Sequence, residues 1–183
     1  MMLGKVICVV LLLLLLGGCE YVQVQSSQLM SIKNTLFSHQ SKEILNSQWQ
    51  LQYGGYFNDV QPVTVQKNTV FVNKATDVVT FDGWKVTRVM GLKSFLPAWD
   101  IQDVGHERRF LVKGDLVATH YCDDWVRREI VTGVRLEQSC RANQNYTNIL
   151  LIDNLGMIES ITQVVDSSLM PLQLRLKNLK RVL

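Results

Sequence analysis

The sequence predicts an all-β domain, mainly antiparallel and barrel- or sandwich-like, with one short N-terminal helix. Three observations carry this. Apolar and polar residues alternate with period two in runs rich in Val, Ile, Thr, Tyr and Phe, the pattern of a strand with one buried face. Turn-forming pairs such as Gly54-Gly55, Asp82-Gly83 and Gly114-Asp115 separate those runs. The runs are short and closely spaced, as in sandwiches and barrels. No internal repeat or low-complexity segment interrupts them.

At the start of the chain, Lys5 precedes an unbroken apolar run from Val6 to Leu16, with Cys8 inside it. That run is shorter than the roughly 20 residues a membrane-spanning helix needs and fits the core of a signal peptide. It ends in Leu16-Gly17-Gly18-Cys19, which resembles a lipobox. The expectation is cleavage before Cys19, a diacylglycerol on its thiol and acylation, with palmitate as the label, of its freed amine. Each buried acyl CH₂ contributes about 0.8 kcal/mol, and more than one chain anchors stably. An ordinary signal peptide with a chance cysteine, or an uncleaved anchor, is the alternative. Glu20 stands where an Asp would favour the inner membrane, so the expected location is the outer membrane, facing the periplasm. The predicted organisation is a signal peptide over 1–18, a lipidated tether over 19–27 and a single β-rich domain over 28–183. Removing 18 of 183 residues leaves 165, enough for a core.

Leu29, Ile32, Leu36 and Phe37 recur at helical spacing and predict a helix from about Gln28 to Ser38. Gln48 to Tyr53 alternates as a strand, and Val63-Thr64-Val65 and Thr69 to Val72 are short β-branched runs. Asp82-Gly83, between Val78–Phe81 and Trp84–Arg88, predicts a two-residue hairpin turn with positive φ at both positions. That register would pair Phe81 with Trp84, Val79 with Val86 and Asp77 with Arg88. Arg109–Lys113 and Leu116–Tyr121 flank a second hairpin turn, and Trp125–Arg135 is a third region with Gly133 as a bend or bulge. Tyr146–Ile152 leads through Asp153-Asn154-Leu155-Gly156 into Met157–Val165. Pro171–Leu176 reads as an edge strand in preference to a helix.

The formal net charge of +3 falls to +2 without Lys5 and gives no footprint for nucleic acid. Arg175, Lys177, Lys180 and Arg181 form a local basic cluster that a solvated face explains. Cys122 and Cys140 remain once Cys8 is removed and Cys19 lipidated; in an oxidising periplasm they read as a disulfide in preference to two buried thiols or a metal site. His120, Asp123 and Asp124 lie beside Cys122, but their spacing matches no zinc pattern, and no cofactor motif is present. His39, His106 and His120 form no triad pattern, and adjacent Asp123-Asp124 would point to opposite faces of a strand, unlike a glycosidase pair. Trp84, Trp99 and Trp125 are candidate glycan or partner contacts, with core packing as the competing role.

Several features together resemble the YjbF/GfcB family of lipoproteins. They are the lipobox, a helix ending in Leu36-Phe37, Phe81 to Val89 running into Met90-Gly91-Leu92, and the closing order Ile149–Gly156, Ile158–Val165 and Pro171–Lys177. The resemblance implies an antiparallel, barrel-like fold and a link to group 4 capsule and exopolysaccharide gene clusters; it carries no catalytic residues. The segment between Tyr53 and Val78 is shorter than is usual in that family, and the Cys122/Cys140 pair is not a family feature. The expected function is that of a non-enzymatic accessory lipoprotein in capsule or exopolysaccharide export or assembly. Its partners would be the lipid bilayer, through acylated Cys19, and the polysaccharide or other export proteins. A lipid or lipoprotein carrier with an open barrel cavity is the alternative; a glycan hydrolase would need two facing carboxylates.

Overall fold

The computed structural model describes residues 48–177, apart from 93 and 94 and the side chain of residue 96. The signal peptide, Cys19, the tether, the expected helix, His39, Lys180 and Arg181 lie outside the described residues.

Thirteen strands make one antiparallel sheet: β1 (Trp49–Tyr53), β2 (Tyr56–Val65), β3 (Asn68–Val72), β4 (Val78–Phe81), β5 (Val86–Gly91), β6 (Phe95–Val104), β7 (Glu107–Val112), β8 (Asp115–Cys122), β9 (Val126–Ile130), β10 (Gly133–Arg141), β11 (Asn145–Asp153), β12 (Ile158–Val164) and β13 (Pro171–Leu176). Neighbours in sequence pair as a meander, except β8 and β9, and two further pairings close the ring. β13 pairs with β1 from Trp49↔Leu176 to Tyr53↔Leu172, and β10 pairs with β8 at Cys140↔Cys122 and Arg141↔Tyr121. The result is a closed twelve-strand barrel with β9 as an added strand.

The alternation expected of β1 is realised: Trp49, Leu51 and Tyr53 are buried, while Gln50 and Gln52 face the other way. On the same inner surface lie Phe71, Val79, Phe81, Val89, Phe95, Leu172 and Leu174. Each fully buried side chain of this size stabilises the fold by about 1.5–3 kcal/mol. The lumen is filled, because facing walls touch. Tyr53 meets Phe95 edge-on at 5.0 Å, from β1 to β6. The Gln163 amide on β12 accepts from the Val86 N–H at 2.9 Å and donates to the Trp84 carbonyl at 2.8 Å. A sandwich-like core therefore sits inside a closed barrel.

Four details differ from the sequence reading. The Asp82-Gly83 hairpin exists and buries Val79 and Phe81, but its ladder pairs Val79 with Val89 and Phe81 with Val86, with a bulge at Thr80/Phe81. The cause is Asp82, whose carboxylate accepts from the N–H groups of Trp84 at 2.9 Å and Lys85 at 3.0 Å, so the loop closes over Asp82–Lys85. Arg88 consequently faces Asp100 on β6 at 3.5 Å instead of Asp77. Secondly, β6 has no counterpart in the reading, since Phe95-Leu96-Pro97-Ala98-Trp99 lacks alternation and carries a proline. Thirdly, Trp125–Arg135 contains two strands with a turn at Val131-Thr132. Gly133, at φ +146°, follows that turn, and a Cβ there would lie 2.0 Å from the Ile152 carbonyl oxygen. Finally, β13 is not an edge: it pairs with both β12 and β1, and Pro171 is tolerated as its first residue.

Candidate functional site

The β8–β10 seam and the polar interior behind it bring together most of the residues whose chemistry is not explained by packing. β8 and β9 lie against one edge of β10 in succession, β8 through two residue pairs and β9 from Val126↔Glu137 to Ile130↔Gly133. At the short β8 overlap the direct cross-strand partners Cys122 and Cys140 form a disulfide with Cα atoms 4.0 Å apart. This realises the expected pairing and uses both sulfurs that a metal would have required. The Cys122 N–H donates to the His106 carbonyl and the Asp123 N–H to the Ser139 carbonyl, each at 2.8 Å.

Behind the seam, Arg108 on β7 is 1% exposed. Its Nη2 donates to Gln163 Oε1 at 3.1 Å, while Nε and Nη1 have no hydrogen-bond partner. Asp103, its register partner on β6, spends Oδ2 on Lys85 Nζ at 2.9 Å and leaves Oδ1 unpaired. Burial lowers the Arg108 pKa from its ordinary value, and the Asp103 charge opposes that shift. His120, paired with Arg108 across β7–β8, is also buried; its Nδ1 shares a hydrogen bond of 2.8 Å with the Tyr146 hydroxyl. Burial and then the Arg108 charge lower the His120 pKa, so the imidazole is neutral at pH 7. Burial pushes the Tyr146 hydroxyl up to about 12. Asn148 continues the polar group, donating to Gln138 Oε1 at 3.1 Å and accepting from the Val164 N–H at 3.0 Å.

Where β8, β10 and β11 end lies a cavity of about 320 Å³, lined by Asp123, Ser139, Cys140, Arg141, Asn145, Tyr146 and Thr147. The site therefore offers hydrogen-bonding groups and a charge-bearing interior. Among the described residues of the site, His120 is bonded to a phenol held protonated, and Asp123 and Asp124 are exposed on the irregular link between β8 and β9.

The three tryptophans do not form one surface. Trp84 and Trp125 contact each other at 6.5 Å, whereas Trp99 packs edge-on against Phe95 at 5.8 Å; all three are half-buried. His106 is exposed, with Nδ1 3.1 Å from the Cys122 carbonyl oxygen. In the basic cluster Arg175 is exposed and Lys177 pairs with Asp59 at 2.5 Å. Sequence reasoning missed Arg108, Gln163 and Asn148. The available signal was parity: Arg108 lies two residues before Phe110, and Gln163 two residues after Ile161, each on the apolar side of its strand.

Fold and site together define a closed antiparallel β-barrel of twelve strands with a disulfide across its shortest ladder and a polar interior beside it. Such a fold has a solved counterpart. The chain is similar to the hypothetical lipoprotein YmcC from Escherichia coli (K12), with 12% identity and a TM-score of 0.52 over 83% of this chain and 96% of that one. At this identity the likeness is one of fold. No family model and no curated protein matches the sequence.

Proposed function

We propose that this chain is an outer-membrane lipoprotein, anchored through acylated Cys19 with its barrel facing the periplasm. In this reading it acts by binding, as a non-enzymatic accessory factor in capsule or exopolysaccharide export or assembly. The observation that carries the reading is the Leu16-Gly17-Gly18-Cys19 lipobox ahead of a barrel shared in fold with a lipoprotein. The Cys122–Cys140 disulfide supports an oxidising compartment. The link to polysaccharide comes from the YjbF/GfcB resemblance, and the unactivated polar site favours recognition over turnover.

Cys19→Ala should abolish palmitate labelling and processing by the lipoprotein signal peptidase; labelled variant protein would remove the anchor from the reading. A deletion strain should show a defect in polysaccharide display. The purified lipoprotein should leave the host's own exopolysaccharide intact, and progressive depolymerisation would overturn the non-enzymatic assignment. A carrier role is the second reading, because a twelve-strand barrel has the girth to enclose a ligand. It requires the Tyr53–Phe95 and Gln163 bridges across the lumen to part. A lipid co-purifying with the protein would favour it.

A further inference from the structure

We propose that β9 is a docking edge for a second copy of this chain, and that two barrels join there through an antiparallel β9–β9 ladder centred on Arg128. The inference goes beyond the binding reading above and does not depend on it. β9 ends the sheet: its partner among the described residues is β10, and all five of its residues, Val126 to Ile130, are exposed. The backbone groups on its far side therefore form an unpaired row, the template on which another strand adds.

The register of β9 with β10 fixes which groups make up that row. Ile130 and Gly133 pair across the two-residue turn Val131-Thr132. A pair that closes so short a loop exchanges both of its hydrogen bonds, and bonded and unbonded pairs then alternate along the ladder. Ile130, Arg128 and Val126 therefore turn their N–H and C=O groups to β10, while Arg127 and Glu129 turn theirs to the free edge. A twofold axis at Arg128 sets Arg127 of each copy opposite Glu129 of the other, and each such pair exchanges both of its backbone hydrogen bonds.

The side chains select that register. Charges on an edge strand ordinarily deter pairing, and here they discriminate between the axes at the strand's three central residues. An axis at Arg127 opposes two arginines, and an axis at Glu129 opposes two carboxylates. The axis at Arg128 opposes unlike charges on one face and places Val126 against Ile130 on the other. Val126 and Ile130 are 52% and 37% exposed, so the ladder covers apolar surface that the single chain leaves open. The two Arg128 side chains meet at the axis, but each already donates to its own Glu137 at 2.8 Å. In the single chain Arg127 pairs with its own Glu129 at 2.7 Å, an exposed ion pair of small worth that exchanges readily for the one across the interface.

The test uses the full chain as its host processes it, purified in detergent. Sedimentation equilibrium over a range of concentrations should show a reversible dimer. Glu129→Arg, at an exposed position, sets arginines opposite each other and should weaken the dimer about tenfold. Adding Arg127→Glu to it exchanges the two charges and should restore the wild-type constant. Arg128→Cys locates the axis: in this register the two Cα atoms form an unbonded pair about 4.5 Å apart, within reach of a disulfide. Mild oxidation should therefore link the copies of that variant, and should not link those of Val131→Cys, which is just as open but lies off the axis. A dimer that Glu129→Arg leaves unchanged, or one whose Arg128→Cys chains link no faster than Val131→Cys chains, would overturn the ladder. So would a monomer at every concentration, and each of these results leaves the anchor and the binding reading to their own tests.

Discussion

Asp77 and Arg108 are both buried charges, 2% and 1% exposed, and the barrel treats them in opposite ways. The Asp77 carboxylate accepts from the Tyr56 hydroxyl at 2.5 Å, from Asn73 at 2.6 Å, from Asn58 at 3.2 Å and from the Leu92 N–H at 2.8 Å. Burial alone would raise its pKa; the donors, Tyr56 foremost, outweigh burial and hold it below the ordinary value. Arg108 has one hydrogen bond and two idle donors. The difference separates two uses of a buried charge. Asp77 ties three connections of the barrel together, and its electrostatic capacity is fully used by the fold. Arg108 sits in β7 between two full ladders, and the fold uses only one of its donor groups, leaving Nε and Nη1 idle.

The contrast can be broken by substitution. Asp77→Ala strands four donors at once and should cost about 3–5 kcal/mol in urea unfolding; a loss below about 1 kcal/mol would mean the donors find other partners. Removing the disulfide with Cys122→Ala and Cys140→Ala, which lie 18 residues apart, should cost about 3 kcal/mol by the chain-entropy argument. Arg108→Met should leave stability within about 1 kcal/mol of wild type, because an apolar replacement of similar length removes a poorly paired charge. A loss as large as that of Asp77→Ala would erase the distinction.

The smallest effect is in pH. His120 has a lowered pKa in the folded state, so below about pH 6.5 the unfolded chain binds a proton that the folded chain refuses. Stability therefore falls as pH drops through the window between the unfolded and folded values. Denaturation midpoints at pH 7 and pH 5 measure it, and Arg108→Met should shrink the difference by removing one of its two causes. Asp77, with its pKa held low, keeps its contribution until the pH falls below about 3.9.

Much of the wall was legible in the sequence because strand periodicity is a local property. β1, the β7–β8 hairpin and β11–β12 follow directly from alternation and turn residues. The register of β4–β5 was not legible, because a single Asp82 side chain competes with the turn dipeptide for the loop's N–H groups. The position of β13 was not legible either: Pro171 argues for an edge unless it is known to be the first residue of its strand. The pairing of Cys122 with Cys140 could be reasoned from compartment and count, but that it spans the shortest ladder in the ring is a property of topology. The same holds for the site. Tyr146 was legible only as the start of a strand, and nothing local places it and Asn145 beside Asp123 and Arg141. The tryptophans drew notice by residue type, and the fold splits them between two places.

The pairing of β1 with β13 has a consequence for how the chain is built. Every other ladder in the ring, the β8–β10 seam included, joins strands near each other along the chain, but β1 waits for a partner that is the last strand described. A chain that emerges N-terminus first exposes the free edge of β1 until everything between Tyr53 and Pro171 has followed, and closes that edge only when β13 arrives. Closure carries the largest loop entropy in the molecule and belongs late in folding. Until then the unpaired β1, with Trp49, Leu51 and Tyr53 on one side, is the segment most open to pairing with another chain. Shielding of that edge, more than the stability of the finished barrel, would then govern the yield of folded protein.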